Sequence, residues 1–320
     1  MLAGGTAAVG LAAGGVSAQS TRTLTLASVN AVGTLVNRLG NHYRDDVAKT
    51  NAGVRINHVE GEVLGNAPQV MDQVSRGSLH LMATDSAWIA PFHKDLQVMN
   101  WSFAFKDIEH YRRYLKSDLF LATAEEVAKT RNVRVIGAAP GQPRYLYARV
   151  PVRDANGLKG LKIRVPQIRT FVESWKSFGT APTPLNFGEV FLGIRTGVID
   201  GAFGAPSDTF GNNFHVSGNH VVKLEDTFSS YMLVINEAAY QSLSPAQRTS
   251  VAKTAAEACE WASKEATAEL DSLIAKMGQS GATFSTIDTA ALRMAAADAG
   301  RKLESEGEWS AGLLQKLQAL

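Results

Sequence analysis

Residues 157–208 read GLKGLKIRVPQIRTFVESWKSFGTAPTPLNFGEVFLGIRTGVIDGAFGAPSD. Leu161, Ile163 and Val165 alternate with Lys162 and Arg164, the period of a half-buried strand, and Pro166 ends it. Ile168, Phe171, Val172, Trp175 and Phe178 then recur at helical spacing before Gly179, a helix-stop residue. A Pro-bounded segment, residues 181–185, leads to a second helical pattern, Val190, Phe191 and Ile194, closed by Gly197. Val198 and Ile199 open a further strand that ends near Gly201. This β-α-β-α-β order predicts a parallel sheet, whose ligands sit beyond the carboxyl ends of its strands. Arg164 lies at such an end.

The runs GLKGLKIRVP (157–166) and PTPLNFGEVFLGIRTGVIDG (182–201) resemble the substrate-binding receptors of tripartite ATP-independent periplasmic (TRAP) transporters. That family reads roughly D-L-K-G-L-K-I-R-V-P, then P-x-P-x-x-F-x-E-V-Y-x-A-L-Q-T-G-x-V-D-G. Weaker similarity runs from about residue 24 to the C-terminus. The resemblance implies a two-lobed α/β periplasmic-binding-protein fold, each lobe a sheet flanked by helices.

Alternation of strands and helices continues on both sides of this stretch. Residues 23–27 read as a first strand, followed by a helix with Val32, Leu35, Leu39, Tyr43 and Val47 on one face and ended by Gly53. Strands follow at 54–59, at 79–83 and at 133–136. Residues 144–152 read as a first crossing between lobes, and the apolar run 231–235 suggests a second. From Pro245 to Met277 an apolar stripe keeps helical phase, with Gly278 as the expected stop. At 1.5 Å per residue this helix is about 50 Å long, against ~30 Å for a small domain, so it should lie across both lobes. Such a bridging helix is also what the resemblance implies. The division expected is 21–142 with 230–269 for one lobe, and 143–229 with 270–320 for the other.

A chain of 320 residues exceeds the ~250–300 at which one core usually splits. With 45% hydrophobic residues and 32 Lys+Arg interspersed with 30 Asp+Glu, nothing marks a nucleic-acid surface. Residues 1–18 carry no charge and are almost wholly Ala, Gly, Val and Leu; Val16, Ser17 and Ala18 form a signal-peptidase pattern. We expect a leader over residues 1–20, by the general or the twin-arginine route, and a mature protein secreted through the inner membrane into the periplasm. No later segment has the ~18–20 apolar residues of a membrane span, so stable insertion is not expected. Cys259, the single cysteine, excludes an intrachain disulfide and reads as a buried small hydrophobe.

The candidate site residues are led by Arg164. A guanidinium presents a planar fork that matches a carboxylate, or it pairs with a nearby acid at a sheet end. The resemblance implies the first, a ligand carboxylate. A second basic contact is Arg144 or Arg149; on a regular strand they face opposite sides, which favours one, Arg144. Asp85 reads as a ligand acceptor, a cation ligand or a helix N-cap. Ser28 and Asn30 follow the first strand as polar contacts. Phe187 is expected to wall the ligand or fill the core, and Glu189 to anchor Arg164 or cap a helix. The family's D-G-Q-E-N-P reads here as residues 200–206, D-G-A-F-G-A-P, without the ligand-touching asparagine, so Phe203 is expected to line the pocket instead. Trp88 and Trp101 are wall or core aromatics.

The implied function is an extracytoplasmic receptor that closes on a small organic acid and delivers it to the TRAP membrane permease subunits. It is expected to act as a monomer, with no cofactor and no nucleic acid; a cation beside the ligand is left open. A receptor presenting its ligand to a sensor kinase is the alternative on the same fold. A secreted enzyme finds no support in nucleophile, zinc, P-loop or dinucleotide patterns. His215 and His220 are expected in a surface loop, not on one helical face.

Overall fold

The computed structural model describes residues 21–320; the expected leader and its cleavage site after Ala18 lie outside them. In chain order the strands are Arg22–Ser28 (β1), Val54–Glu60 (β2), Leu81–Thr84 (β3), Val133–Pro143 (β4) and Tyr145–Ala148 (β5). Lys162–Val165 (β6), Ala181–Pro184 (β7), Gly201–Gly204 (β8), His220–Val222 (β9), Phe228–Asn236 (β10) and Thr283–Ser285 (β11) complete the set. They form two sheets with orders β2-β1-β3-β10-β4 and β11-β9-β5-β8-β6-β7. Each sheet is parallel except for one strand. In the first it is β10, antiparallel to β3 and β4; in the second it is β5, antiparallel to β8 and β9. Both reversed strands have just arrived from the other sheet.

The inner strands are apolar on both faces because helices cover both faces. All nine residues of β10 are buried. Against one face of the first sheet lies the helix Leu35–Lys49, with Leu35, Leu39, Tyr43 and Val47 in a core shared with Val251, Ala255, Ala258, Cys259 and Ala262. The other face packs on Val70, Met71 and Val74 of the helix Ala67–Arg76. That core runs without a break into the second lobe through Ile163, Phe171, Trp175 and Phe203, and on to Trp309 near the C-terminus.

The helix Pro245–Gln279 spans both lobes. Its 35 residues give about 52 Å at 1.5 Å per residue. Ser244 and Gln247 form a capping box at its start. Its N-terminal two-thirds belong to the first lobe's core, while Met277 and Ile274 pack with Tyr145, Val190 and Phe214 of the second. Gly137 of β4 permits the close approach: a Cβ there would lie 2.5 Å from the Ala255 carbonyl oxygen.

Several boundaries differ from expectation. Val32 precedes the first helix and is 71% exposed, because Thr34 is the N-cap. The middle strand of the expected β-α-β-α-β unit, β7, ends at Pro184 and lies at the sheet edge, where proline costs no ladder bond. Residues 198–200 precede β8 instead of opening it. The first crossing is confined to Arg144, between β4 and β5, and the second occupies residues 223–227, ahead of the apolar run. The long helix passes through Gly278 and ends after Gln279. His215 is buried and stacks on Phe210 at 5.1 Å, while His220 belongs to β9. Among the described residues no helix is long and apolar enough to cross a membrane.

Candidate functional site

A cavity of about 430 Å³ lies between the two sheets, within the roughly 300–1,000 Å³ of small-molecule sites. Its walls follow from topology. Asn30 comes from the turn after β1, Glu62 from the turn after β2, and Asp85 and Trp88 from the turn after β3. Arg164, Pro166, Leu185, Phe187, Phe203 and Asp208 come from the carboxyl ends of β6, β7 and β8 or just beyond them. Arg144, at the first crossing, stands between the two groups.

Arg164 is 4% exposed. Its Nε donates to the Leu185 carbonyl at 2.8 Å, and its guanidinium sits 5.5 Å from the Phe187 ring centroid. Among the described residues no carboxylate pairs with it. Burial, and after it the charge of Arg144, pushes its pKa down to about 9, which leaves it a cation at neutral pH. A desolvated cation without a counter-charge is costly, and an entering anion relieves that cost.

Arg144 is equally buried but already satisfied. Its Nη2 donates to both oxygens of Asp85, at 2.8 and 3.0 Å, and its Nη1 to the Phe228 carbonyl at 2.9 Å. Asp85 also accepts from the backbone N–H groups of Ala87 at 2.7 Å and Ser230 at 2.9 Å. Of the three expected readings Asp85 takes that of a helix N-cap, and it is the partner of Arg144 at once.

The other expected residues divide. Asn30, Trp88, Phe187 and Phe203 line the cavity with Arg144, Arg164 and Asp85. Arg149 does not. It is exposed, and its Nη1 lies 2.2 Å from where a Cβ on Gly197 would stand. Glu189 is exposed and accepts from the Asn186 backbone N–H at 3.1 Å in a capping box, so the Leu185 carbonyl, not Glu189, fixes Arg164. Ser28 is buried behind the wall, bonded to His58 at 2.8 Å and Asn37 at 3.2 Å. Trp101 is core, packed on Trp309 at a centroid distance of 5.6 Å.

Sequence reasoning passed over Asp208, Glu62 and the helix start at Asn66 and Gln69, all of which line the cavity. Asn66 and Gln69 form a capping box with Pro68 in the first turn, a legible signal for a helix end facing the site. Asp208 sits in the first turn of the helix Pro206–Gly211, two residues after its proline. Burial first, then Asp85 and, less strongly, Glu269, pushes its carboxyl up to about 7 against the opposing pull of Arg144. Among the described residues no group of three or more His, Cys, Asp or Glu side chains is arranged to hold a metal ion.

The model of the bacterial extracellular solute-binding protein family 7 matches residues 28–306. The chain belongs to this family. Similar to this family 7 protein is a solute-binding protein of Roseobacter denitrificans, 29% identical over 256 residues, which cover 78% of the chain and 77% of the relative. The 2,3-diketo-L-gulonate-binding periplasmic protein of Escherichia coli is 24% identical over 237 residues, 73% of this chain and 71% of that one. A TRAP periplasmic solute binding protein from Pseudomonas putida F1, with bound D-glucuronate, superposes with a TM-score of 0.87 at 23% identity, covering 93% of this chain and 97% of that one. One from Sulfitobacter, with bound β-D-galacturonate, gives 0.88 at 18% identity, covering 93% and 100%. The two-lobed fold is therefore that of the TRAP receptors. The family 7 protein is an extracytoplasmic solute receptor.

Proposed function

We propose that the protein receives a small organic acid in the interlobe cavity, with Arg164 clamping a ligand carboxylate, and hands it to a TRAP permease from the periplasm. The observation that carries this reading is the buried guanidinium of Arg164 in the cavity wall, without an ion-pair partner among the described residues. Two charge-assisted hydrogen bonds from its free edge contribute roughly 1.5–3 kcal/mol each. Phe171, Phe187 and Phe203 surround the ligand with apolar surface that strengthens those bonds. A clamp that neither donates nor abstracts a proton fits binding and release. The receptor acts as a monomer whose lobes, divided near residue 144 and residues 223–227, close because the ligand touches both.

A thermal-shift panel of mono-, di- and keto-acids and acidic sugars tests the reading. An acid at a hundredfold excess over its Kd adds about 2.7 kcal/mol, a shift of a few degrees. Stabilisation that vanishes in Arg164→Met supports it. A panel without a single hit overturns it.

A further inference from the structure

The charges around the cavity restrict the acid further, an inference that rests on the carboxylate reading above. Five charged side chains line the cavity: Glu62, Asp85, Arg144, Arg164 and Asp208. Arg144 and Asp85 cancel one another in a two-oxygen contact. One free cation is left, Arg164, beside two acids without an ion-pair partner among the described residues.

The free cation and Asp208 are separate features of the wall. Arg164 is fixed by the Leu185 carbonyl after β7, whereas Asp208 sits on the helix that follows β8. The charged and titratable groups around Asp208 are Asp85, Arg144 and Glu269, with Tyr147 and Tyr231 behind it. Asn30 donates to it through a long contact of 3.5 Å. Its carboxyl therefore has capacity left for a ligand.

A ligand's first carboxylate is neutralised by Arg164. A second would find no unpaired cation among the described residues, and at Asp208 it would meet a like charge in a desolvated site, or enter only by taking up a proton. A hydroxyl group suits the same position. It donates to Asp208 when that group is ionised and accepts from it when it is protonated. We propose that Asp208 is a specificity residue that excludes a second carboxylate, so that the receptor takes a monocarboxylic acid bearing several hydroxyl groups and rejects the diacid of the same skeleton.

Calorimetric titration at pH 8, where a shared proton is least available, tests this with matched sets. D-gluconate and D-glucuronate are compared with D-glucarate and with hexanoate, and D-erythronate with tartrate, alongside the wider panel. The tightest binder should be a hydroxylated monocarboxylate, at least about tenfold tighter than its diacid and its unhydroxylated counterpart. Asp208→Asn should narrow the monoacid-to-diacid ratio to within about threefold by weakening the first and strengthening the second. A diacid or an unhydroxylated acid as tightest binder overturns the inference and leaves the carboxylate reading standing. So does an unchanged ratio in Asp208→Asn. If that variant does not fold, the ranking on the unaltered protein decides alone. If no acid of any kind binds, the carboxylate reading itself falls and takes this one with it.

Discussion

Two arginines occupy the same cavity wall and have opposite fates. Arg144, at the crossing between the sheets, is held by two oxygens of Asp85 and by the Phe228 carbonyl. Arg164, on the second sheet, has one backbone carbonyl and the face of the Phe187 ring, and no carboxylate among the described residues. Both are buried, at 7% and 4% exposure. The difference teaches that burial of a charge is not itself a sign of function. What matters is whether the fold supplies the counter-charge or leaves that to a visitor.

Breaking the pair should give the largest effect. Arg144→Met strands Asp85 in a half-closed site, and chemical denaturation should record a loss of about 3–5 kcal/mol, as for other broken buried pairs. Arg164→Met should do the reverse, leaving the denaturation midpoint unchanged or higher while acid affinity falls at least about 100-fold. If Arg164→Met costs as much stability as Arg144→Met, the contrast between them is gone. A gentler change sharpens it: Arg164→Lys keeps the charge but loses the fork, and affinity should fall about tenfold in titration.

Asp208 extends the comparison to the acid side. Its carboxyl is raised from 3.8 to about 7, so between those values the folded protein holds a proton that the unfolded chain has released. Stability from this group is therefore present at low pH and lost as pH rises through about 7. Asp226, raised to about 6 chiefly by burial, adds a loss of the same sign. The readout is the difference between Asp208→Asn and the unaltered protein without ligand: between pH 6 and 7 the variant should lose less stability, by at most about 1.4 kcal/mol. Parallel curves would show that Asp208 ionises freely. The smallest effect is expected at Arg149, whose replacement by alanine should move affinity and stability by no more than about 0.5 kcal/mol.

Much of this was legible in the chain. The alternation around Arg164, the parallel order of β6, β7 and β8, and the length of the Pro245–Gln279 stripe are local periodicities that tertiary contacts do not override. What could not be read was partnership. Arg144 and Asp85 are 59 residues apart, and only the folded sheets bring them to 2.8 Å. The same holds for Asp208, which sits inside the most readable stretch but acquires its character first from burial and then from Asp85, Arg144 and Glu269, contributed by distant segments. Glu189 failed as an anchor for a local reason: three residues from Asn186, it is captured by the turn beside it.

The long helix has a mechanical consequence. It is gripped along Val251 to Ala266 by one half of the molecule and near Met277 by the other, so the proposed closure would load it as a leaf spring beside two thin straps. None of its residues lines the cavity, although Glu269 acts on Asp208 from behind. A softer or stiffer spring would rescale how tightly every guest is held by a common factor. The order of preference among guests would stay where the pocket puts it.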